Sequence, residues 1–246
     1  MNARFYAPAA VEGAGDIELP EEEATHASRV LRLAPGAAIT VFNGRGDEFA
    51  SVVVAVTKSH VRVRLDARIT ARAELPVSIT LAHAVLKGDK MDDVVRDAVM
   101  LGVAALQPIV TTRTEVSLGA LGRGDRVERW RRIAVSSAKQ CGRAVVPAIA
   151  APVAVDEAGL LERLPAPQYF LLEPSAGVAT SRVADVPPGC PAAATIVVGP
   201  EGGWTEAEIA LARPHGRALG LGDRTLRADA AAVVAVTALL TRWGAL

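Results

Sequence analysis

The residues of this chain best suited to chemistry form one short turn, Gly199-Pro200-Glu201-Gly202-Gly203. An apolar run, Thr195-Ile-Val-Val198, leads into it, and Thr205-Glu-Ala-Glu208 follows with the T-x-x-E spacing of a capping box that starts a helix. Loops at the carboxyl ends of buried parallel strands are where α/β proteins bind ligands. Glycines there let a ligand approach bare amides and carbonyls. The turn is not a phosphate loop: the G-x-x-x-x-G-K-S/T spacing is missing and Glu201 would repel a phosphate. A G-x-G-x-x-G dinucleotide signature is missing too. An acidic, glycine-rich turn fits a neutral or cationic ligand, and S-adenosylmethionine, with its sulfonium and ammonium groups, qualifies. Spacing alone is served equally well by a tight strand-to-helix connection that binds nothing.

Two further segments carry candidate residues. In Leu219-Gly-Leu-Gly-Asp-Arg-Thr-Leu-Arg227, Gly220 and Gly222 mark an exposed turn, with Arg224, Arg227 and Asp229 at the mouth of an apolar helix. The helix dipole favours Asp229 there but gives Arg224 and Arg227 no support, which points to a functional role for at least one of the arginines. Ser136-Ser-Ala-Lys-Gln-Cys-Gly-Arg143 closes a long helix, with Gly142 as C-cap and Arg143 as a last-turn cation. Along that helix Arg123, Arg126, Arg129, Arg131, Arg132, Lys139 and Arg143 outnumber Asp125 and Glu128. A solvated face and an RNA-facing stripe account for this equally.

The elements that must position these residues fall into two patterns. Residues 37–43, 48–57 and 60–66 read as strands, the last alternating cleanly, with a turn at 43–47 and a short helix at 21–33 before them. Several strands on short turns predict a small barrel. From about residue 73, strands at 77–85, 104–110, 169–172, 195–198 and 218–221 alternate with helices beginning at Asp89 and at 124–141, 207–212 and 228–243. That alternation predicts an α/β domain with a mostly parallel sheet. The domains are therefore drawn at 1–72 and 73–246.

Composition sets the limits. Half the residues are hydrophobic and 22% are charged, a globular balance. Formal net charge is zero, so any attraction to nucleic acid must come from local patches, such as the arginines at 29, 32, 45, 62, 64, 68 and 72. The two cysteines, Cys141 and Cys190, form no paired pattern, and His26, His60, His83 and His215 are scattered, so no metal site is expected. No signal peptide and no membrane-spanning stretch stand out; a cytoplasmic protein is expected.

Taken together, the segments resemble the RsmE family of bacterial 16S ribosomal RNA (uracil-N3)-methyltransferases, within the SPOUT superfamily. The likeness runs through Arg4-Phe5-Tyr6, His26-Ala-Ser-Arg-Val-Leu-Arg32, Val41-Phe-Asn-Gly44, Lys87-Gly-Asp-Lys-Met91, Gln140-Cys-Gly-Arg143, Val198-Gly-Pro-Glu-Gly-Gly203 and Leu219–Arg227. The resemblance implies a PUA-like β-barrel that helps hold RNA, followed by a SPOUT α/β domain with a C-terminal trefoil knot, working as a homodimer. It implies S-adenosylmethionine as cofactor, held by Leu172, Gly199, Pro200, Glu201, Gly202, Gly203, Leu219, Gly220, Leu221, Gly222 and Leu226. Arg143 and Arg227 are expected to act in catalysis by positioning and charge stabilisation, and Arg4, Arg29, Arg32, Arg45 and Arg132 to contact RNA. The expected substrate is one uridine of 16S rRNA, in the decoding region near its 3′ end, in the small ribosomal subunit. Two departures stand out: Lys139 replaces a frequent Glu, and Ala228-Asp229 replaces Thr-Glu. A ribose 2′-O-methyltransferase and a non-catalytic RNA-binding protein are the competing readings.

Overall fold

The structure, a computed structural model, describes residues 3–246. In chain order its elements are β1 (Ala3–Tyr6), β2 (Asp16–Glu18), α1 (Glu21–Thr25), β3 (Ala38–Phe42), β4 (Glu48–Val56), β5 (Val61–Ile69), β6 (Ser78–Ala84), α2 (Lys90–Met100), β7 (Ala105–Val110), α3 (Leu118–Arg123) and α4 (Arg126–Cys141). Then come β8 (Ala148–Ile149), β9 (Val153–Ala154), α5 (Leu160–Arg163), β10 (Gln168–Leu171), β11 (Ser181–Arg182), β12 (Ala193–Val198), α6 (Glu206–Ala212), β13 (Gly216–Gly220) and α7 (Ala228–Trp243). The chain divides into two compact units, one of residues 1–74 with 135–146, the other of residues 75–134 with 147–246.

The first unit is a mixed five-stranded sheet in the order β1-β3-β4-β5-β2. β1 runs parallel to β3; the other pairs are antiparallel. The alternation in β5 buries Val61 and Val63 and leaves Arg62 and Arg64 outside, facing Glu18 and Asp16 across the ladder. Opposite charges at facing positions support that pairing. The core gathers Phe5, Ile39, Val41, Phe49, Val53, Val61 and Val63 under Leu19, Ala24 and Ala27. The single helix expected over 21–33 is α1 followed by one π-helical turn, His26–Val30.

The tail of α4 and the stretch after it complete this unit through polar contacts. Arg4 reaches Glu48 (2.6 Å), Ala138 O (2.9 Å) and Arg143 O (2.8 Å), and stacks over Phe42. Lys139 donates to both oxygens of Glu23 (2.8 and 2.7 Å), which accounts for a lysine at that position. The Arg143 guanidinium is held by Glu74, with Nε 3.0 Å from Oε2. The expected last-turn cation is thus paired with a carboxylate distant in sequence.

The second unit is a parallel sheet in the order β11-β13-β10-β12-β6-β7-β8, with β9 also pairing with β7. Its central strands are mostly apolar and almost wholly buried, as strands covered on both faces must be, with Thr80, His83, Gln168 and Thr195 the buried polar side chains among them. The helix expected over 124–141 is preceded by α3, whose N-cap Ser117 accepts from Ala120 N–H. Asp89 stands at the N-cap of α2, but its side chain makes no cap bond; its carboxylate faces Arg129 instead (3.4 Å). α7 packs on α2 and β12. To get there from β13, residues 221–227 must cross the carboxyl ends of β10 and β12.

Candidate functional site

That crossing builds a cavity. The ends of β10, β12 and β13 and the first turn of α7 enclose about 280 Å³, walled by Leu171, Leu172, Val198, Leu221, Leu226 and Ala231, with Glu173, Glu201, Arg224 and Arg227 adding charge. Of the residues assigned to the cofactor from sequence, Leu172, Gly199, Pro200, Glu201, Gly203, Leu221, Gly222 and Leu226 line it. Gly202, Leu219 and Gly220 do not line it: Leu219 is fully buried, Gly202 O accepts from Arg113 (2.8 Å), and Gly220 lies against Thr180. The turns at 199–203 and 219–227 therefore face one space.

Packing explains much of the glycine content of the first turn. A Cβ on Gly199 would meet the Trp204 indole at 2.8 Å, and Trp204 is pinned by its Nε1–H donating to Leu171 O (2.9 Å). Gly203 has a φ of 70°, the left-handed region, with Glu173 beside it. Trp204 lines the cavity and was not singled out in the sequence, because its place depends on β10 lying next to β12.

Polar contacts fix the turn at both ends. Lys90 Nζ donates to Glu201 Oε1 (2.8 Å). Burial acts to raise the Glu201 pKa, but the bond from Lys90 and backbone N–H donors outweigh it and hold the carboxyl below its ordinary value. At the other end Glu208 Oε2 accepts from Thr205 N–H (2.8 Å) and Oγ1 (2.9 Å), the capping box read from sequence, and Glu208 Oε1 accepts from Thr112 N–H (2.8 Å). His83, fully buried at the end of β6, faces Ala84 O (2.7 Å) and Ala228 O (3.2 Å) and so meets the first residue of α7. Burial pushes its pKa down.

Arg227, expected to be catalytic, lines the cavity, 70% exposed and 3.3 Å from Asp229. Arg143 is 8% exposed and bound to Glu74 in the first unit. Among the arginines expected to touch RNA, Arg29 and Arg32 are exposed and flank exposed Val30 and Leu31. Arg132 is also exposed. Exposed Arg45 reaches Pro8 O (3.0 Å), whereas Arg4 is engaged within its unit as described above. Among the described residues no group of three or more His, Cys, Asp or Glu is placed to hold a metal ion, and no helix is long and apolar enough to cross a membrane.

Glu208 yields a pH prediction. Burial raises its pKa, but the Thr205 and Thr112 bonds outweigh that and depress it below 4.5 in the fold. Its contribution is therefore present above pH 4.5 and lost as pH falls through the depressed folded value. Glu208→Gln should lower stability at neutral pH by about 1 kcal/mol and flatten the acid limb of stability against pH. Urea melts across pH 3 to 7 measure both; a variant with an unchanged acid limb would contradict the assignment.

Comparison with known proteins agrees with this geometry. Residues 73–240 match the model of the RNA methyltransferase domain, and residues 19–66 that of the RNA methyltransferase PUA domain. The chain is 31% identical over 228 residues to ribosomal RNA small subunit methyltransferase E of Synechocystis sp., covering 89% of this chain and 71% of that one. It is 29% identical over 237 residues to the Bacillus subtilis protein of the same name, covering 93% and 91%. A Legionella pneumophila methyltransferase solved with bound SAM superposes with a TM-score of 0.89 at 30% identity, over 98% of both chains. The Neisseria gonorrhoeae ribosomal RNA small subunit methyltransferase E bound to S-adenosyl methionine gives 0.86 at 30% identity, over 99% of this chain and 98% of that one. With a PUA-type sheet ahead of a parallel α/β unit whose strand ends enclose a cavity, the chain belongs to the ribosomal RNA small subunit methyltransferase E family.

Proposed function

We propose that this chain methylates N3 of one uridine in the decoding region of 16S rRNA, in the small ribosomal subunit, with S-adenosylmethionine as methyl donor. The observation that carries this reading is the single cavity shared by the 199–203 and 219–227 turns, in a chain whose relatives bind that cofactor. The cavity fits the cofactor's chemistry: an apolar slot between Leu172, Leu221 and Leu226 suits adenine, and Glu173 and Glu201 set negative charge at its wall for a cationic group. Leu172, Gly199–Gly203, Leu219–Gly222 and Leu226 are the residues we assign to holding or shaping it. Bound there, S-adenosylmethionine supplies an electrophilic methyl group on sulfonium sulfur.

The rest of the chemistry falls to the protein. Neutral uracil carries a proton on N3 and is a poor nucleophile. That proton must leave as the N3–methyl bond forms and the sulfur keeps the electrons of the bond it loses. Arg227, exposed at the cavity mouth, is placed to stabilise negative charge on the uracil oxygens. Arg143, locked by Glu74, has the positioning part, fixing the end of its Gln-Cys-Gly-Arg turn. The target base has to leave its stack to reach the cavity. We assign RNA holding to residues 1–72, where Arg29 and Arg32 beside Val30 and Leu31 offer cations together with apolar surface at the end of a π-helical turn, and to Arg45 and Arg132. Residues 73–246 form the methyltransferase domain, and the crossing of 221–227 is the segment we assign to the trefoil knot.

A homodimer belongs to the same proposal. Between Asp229 and Arg242, α7 carries no charged side chain, and Val234 is 41% exposed on its outer face. An uncharged helical face of small residues suits close packing against a second copy.

Three outcomes are expected. Small subunits lacking the modification should gain N3-methyluridine on incubation with enzyme and cofactor, mapped by mass spectrometry; methyl found on ribose would redirect the reading. Glu201→Gln should weaken cofactor binding about tenfold, through loss of the Lys90 pairing, with a smaller effect on single-turnover rate; the reverse pattern would place Glu201 in the chemical step. Light scattering should give twice the 25.6 kDa chain mass, and Val234→Arg should give the monomer; a monomeric wild type would exclude the dimer.

A further inference from the structure

The first unit holds a second cavity that the reading above does not use. It measures about 530 Å³, within the ~300–1,000 Å³ span of ligand sites. One wall is the end of β5 and the irregular stretch after it, Arg68 to Arg72; the other is Gly46, Ala144 and Val145, with Glu74 also lining the crevice.

Charge around this crevice is arranged unevenly. Arg68 is paired with Asp47, and Glu74 is neutralised by the guanidinium of Arg143. The two acids are therefore already matched. Arg72 makes no ion pair among the described residues, although it is exposed at the rim. Its guanidinium lies flat on the Gly142 turn: Cζ, Nε and Nη2 are all 3.6–3.7 Å from the position a Cβ on Gly142 would take. With one face covered by backbone, its N–H edge remains for a partner. A planar, pre-oriented, unpaired guanidinium suits a phosphate. Beside it Ile69 is 38% exposed, an apolar surface at the same crevice. Cation and apolar face side by side fit a nucleotide of unpaired RNA better than a duplex, whose bases stay stacked.

We propose that this crevice binds one nucleotide of a single-stranded stretch of the RNA substrate, its phosphate on Arg72 and its base against Ile69 and Val145. The proposal rests on the RNA methyltransferase reading and adds a second point of attachment, within the first unit. It also gives the Gln140–Arg143 motif a purpose: Gly142 supports the Arg72 guanidinium, and Arg143 cancels the acid that would repel a phosphate.

Anisotropy titrations of the full-length protein with fluorescein-labelled oligouridylate and with 16S rRNA test this. Arg72→Ala should weaken both by about three- to tenfold near 0.15 M salt and reduce the slope of log affinity against log salt by about 1. Arg72→Lys should restore much of the slope, and Ile69→Ser should weaken binding without changing it. Calorimetric affinity for S-adenosylmethionine and the melting temperature should stay as in the wild type for each. Unchanged affinity and slope in Arg72→Ala, alongside a loss in the Arg29→Ala/Arg32→Ala double variant, would overturn the crevice proposal while leaving RNA methylation intact. A wild type that binds neither RNA and methylates no subunit would instead bring down the underlying reading.

Discussion

One constraint shapes the catalytic unit: β10 sits between β12 and β13, and all three run parallel. The chain leaving β13 reaches the end of β6 through residues 221–227, several of which line the cavity with the ends of β10 and β12. That crossing brings two turns far apart in sequence to one space and sets the start of α7 against His83. The indole of Trp204, tied to β10 and pressed on Gly199, lines the resulting space. The cavity is thus a product of strand order first and of side-chain chemistry second.

The first unit follows a different logic, in which arginines act as structural brackets. Arg4 reaches across to Glu48 and to two carbonyls near the end of α4, and Arg143 grips Glu74. Buried guanidinium groups persist only where carboxylates and carbonyls satisfy them, and here those partners come from distant sequence. Other arginines, Arg29, Arg32, Arg45 and Arg72 among them, lie exposed on the surface of the unit. Position, not residue type, separates the two roles.

That separation marks the limit of what the sequence reveals. Elements with strong periodicity or composition were legible: the alternation of β5, the apolar runs of β6, β10 and β12, and the Thr205–Glu208 box. So was the cavity turn, because glycines, a proline and an acid at a strand end are a local signal. β1 and β2 are four and three residues long and offer no period to detect. α3 escaped because its start depends on the hydroxyl of Ser117 rather than on an apolar stripe. Trp204, Lys90 and His83 could not be assigned to the site, since each enters it through pairing between strands. Arg4 and Arg45 looked alike in sequence, yet one is enclosed and the other exposed.

The composition of the first unit has a consequence for biosynthesis. Its compact set of residues includes 135–146, long after the stretch that ends at residue 74. A nascent chain therefore emerges with Glu23 and Glu74 lacking cationic partners, and those partners, Lys139 and Arg143, appear only after some sixty residues of the second unit. N-terminal domains generally fold first during synthesis. Here the first 74 residues hold Glu23 and Glu74 unmatched in water until residues 135–146 have emerged. The two units share one folding schedule, and cutting the chain at its apparent boundary would leave the first without its closing contacts.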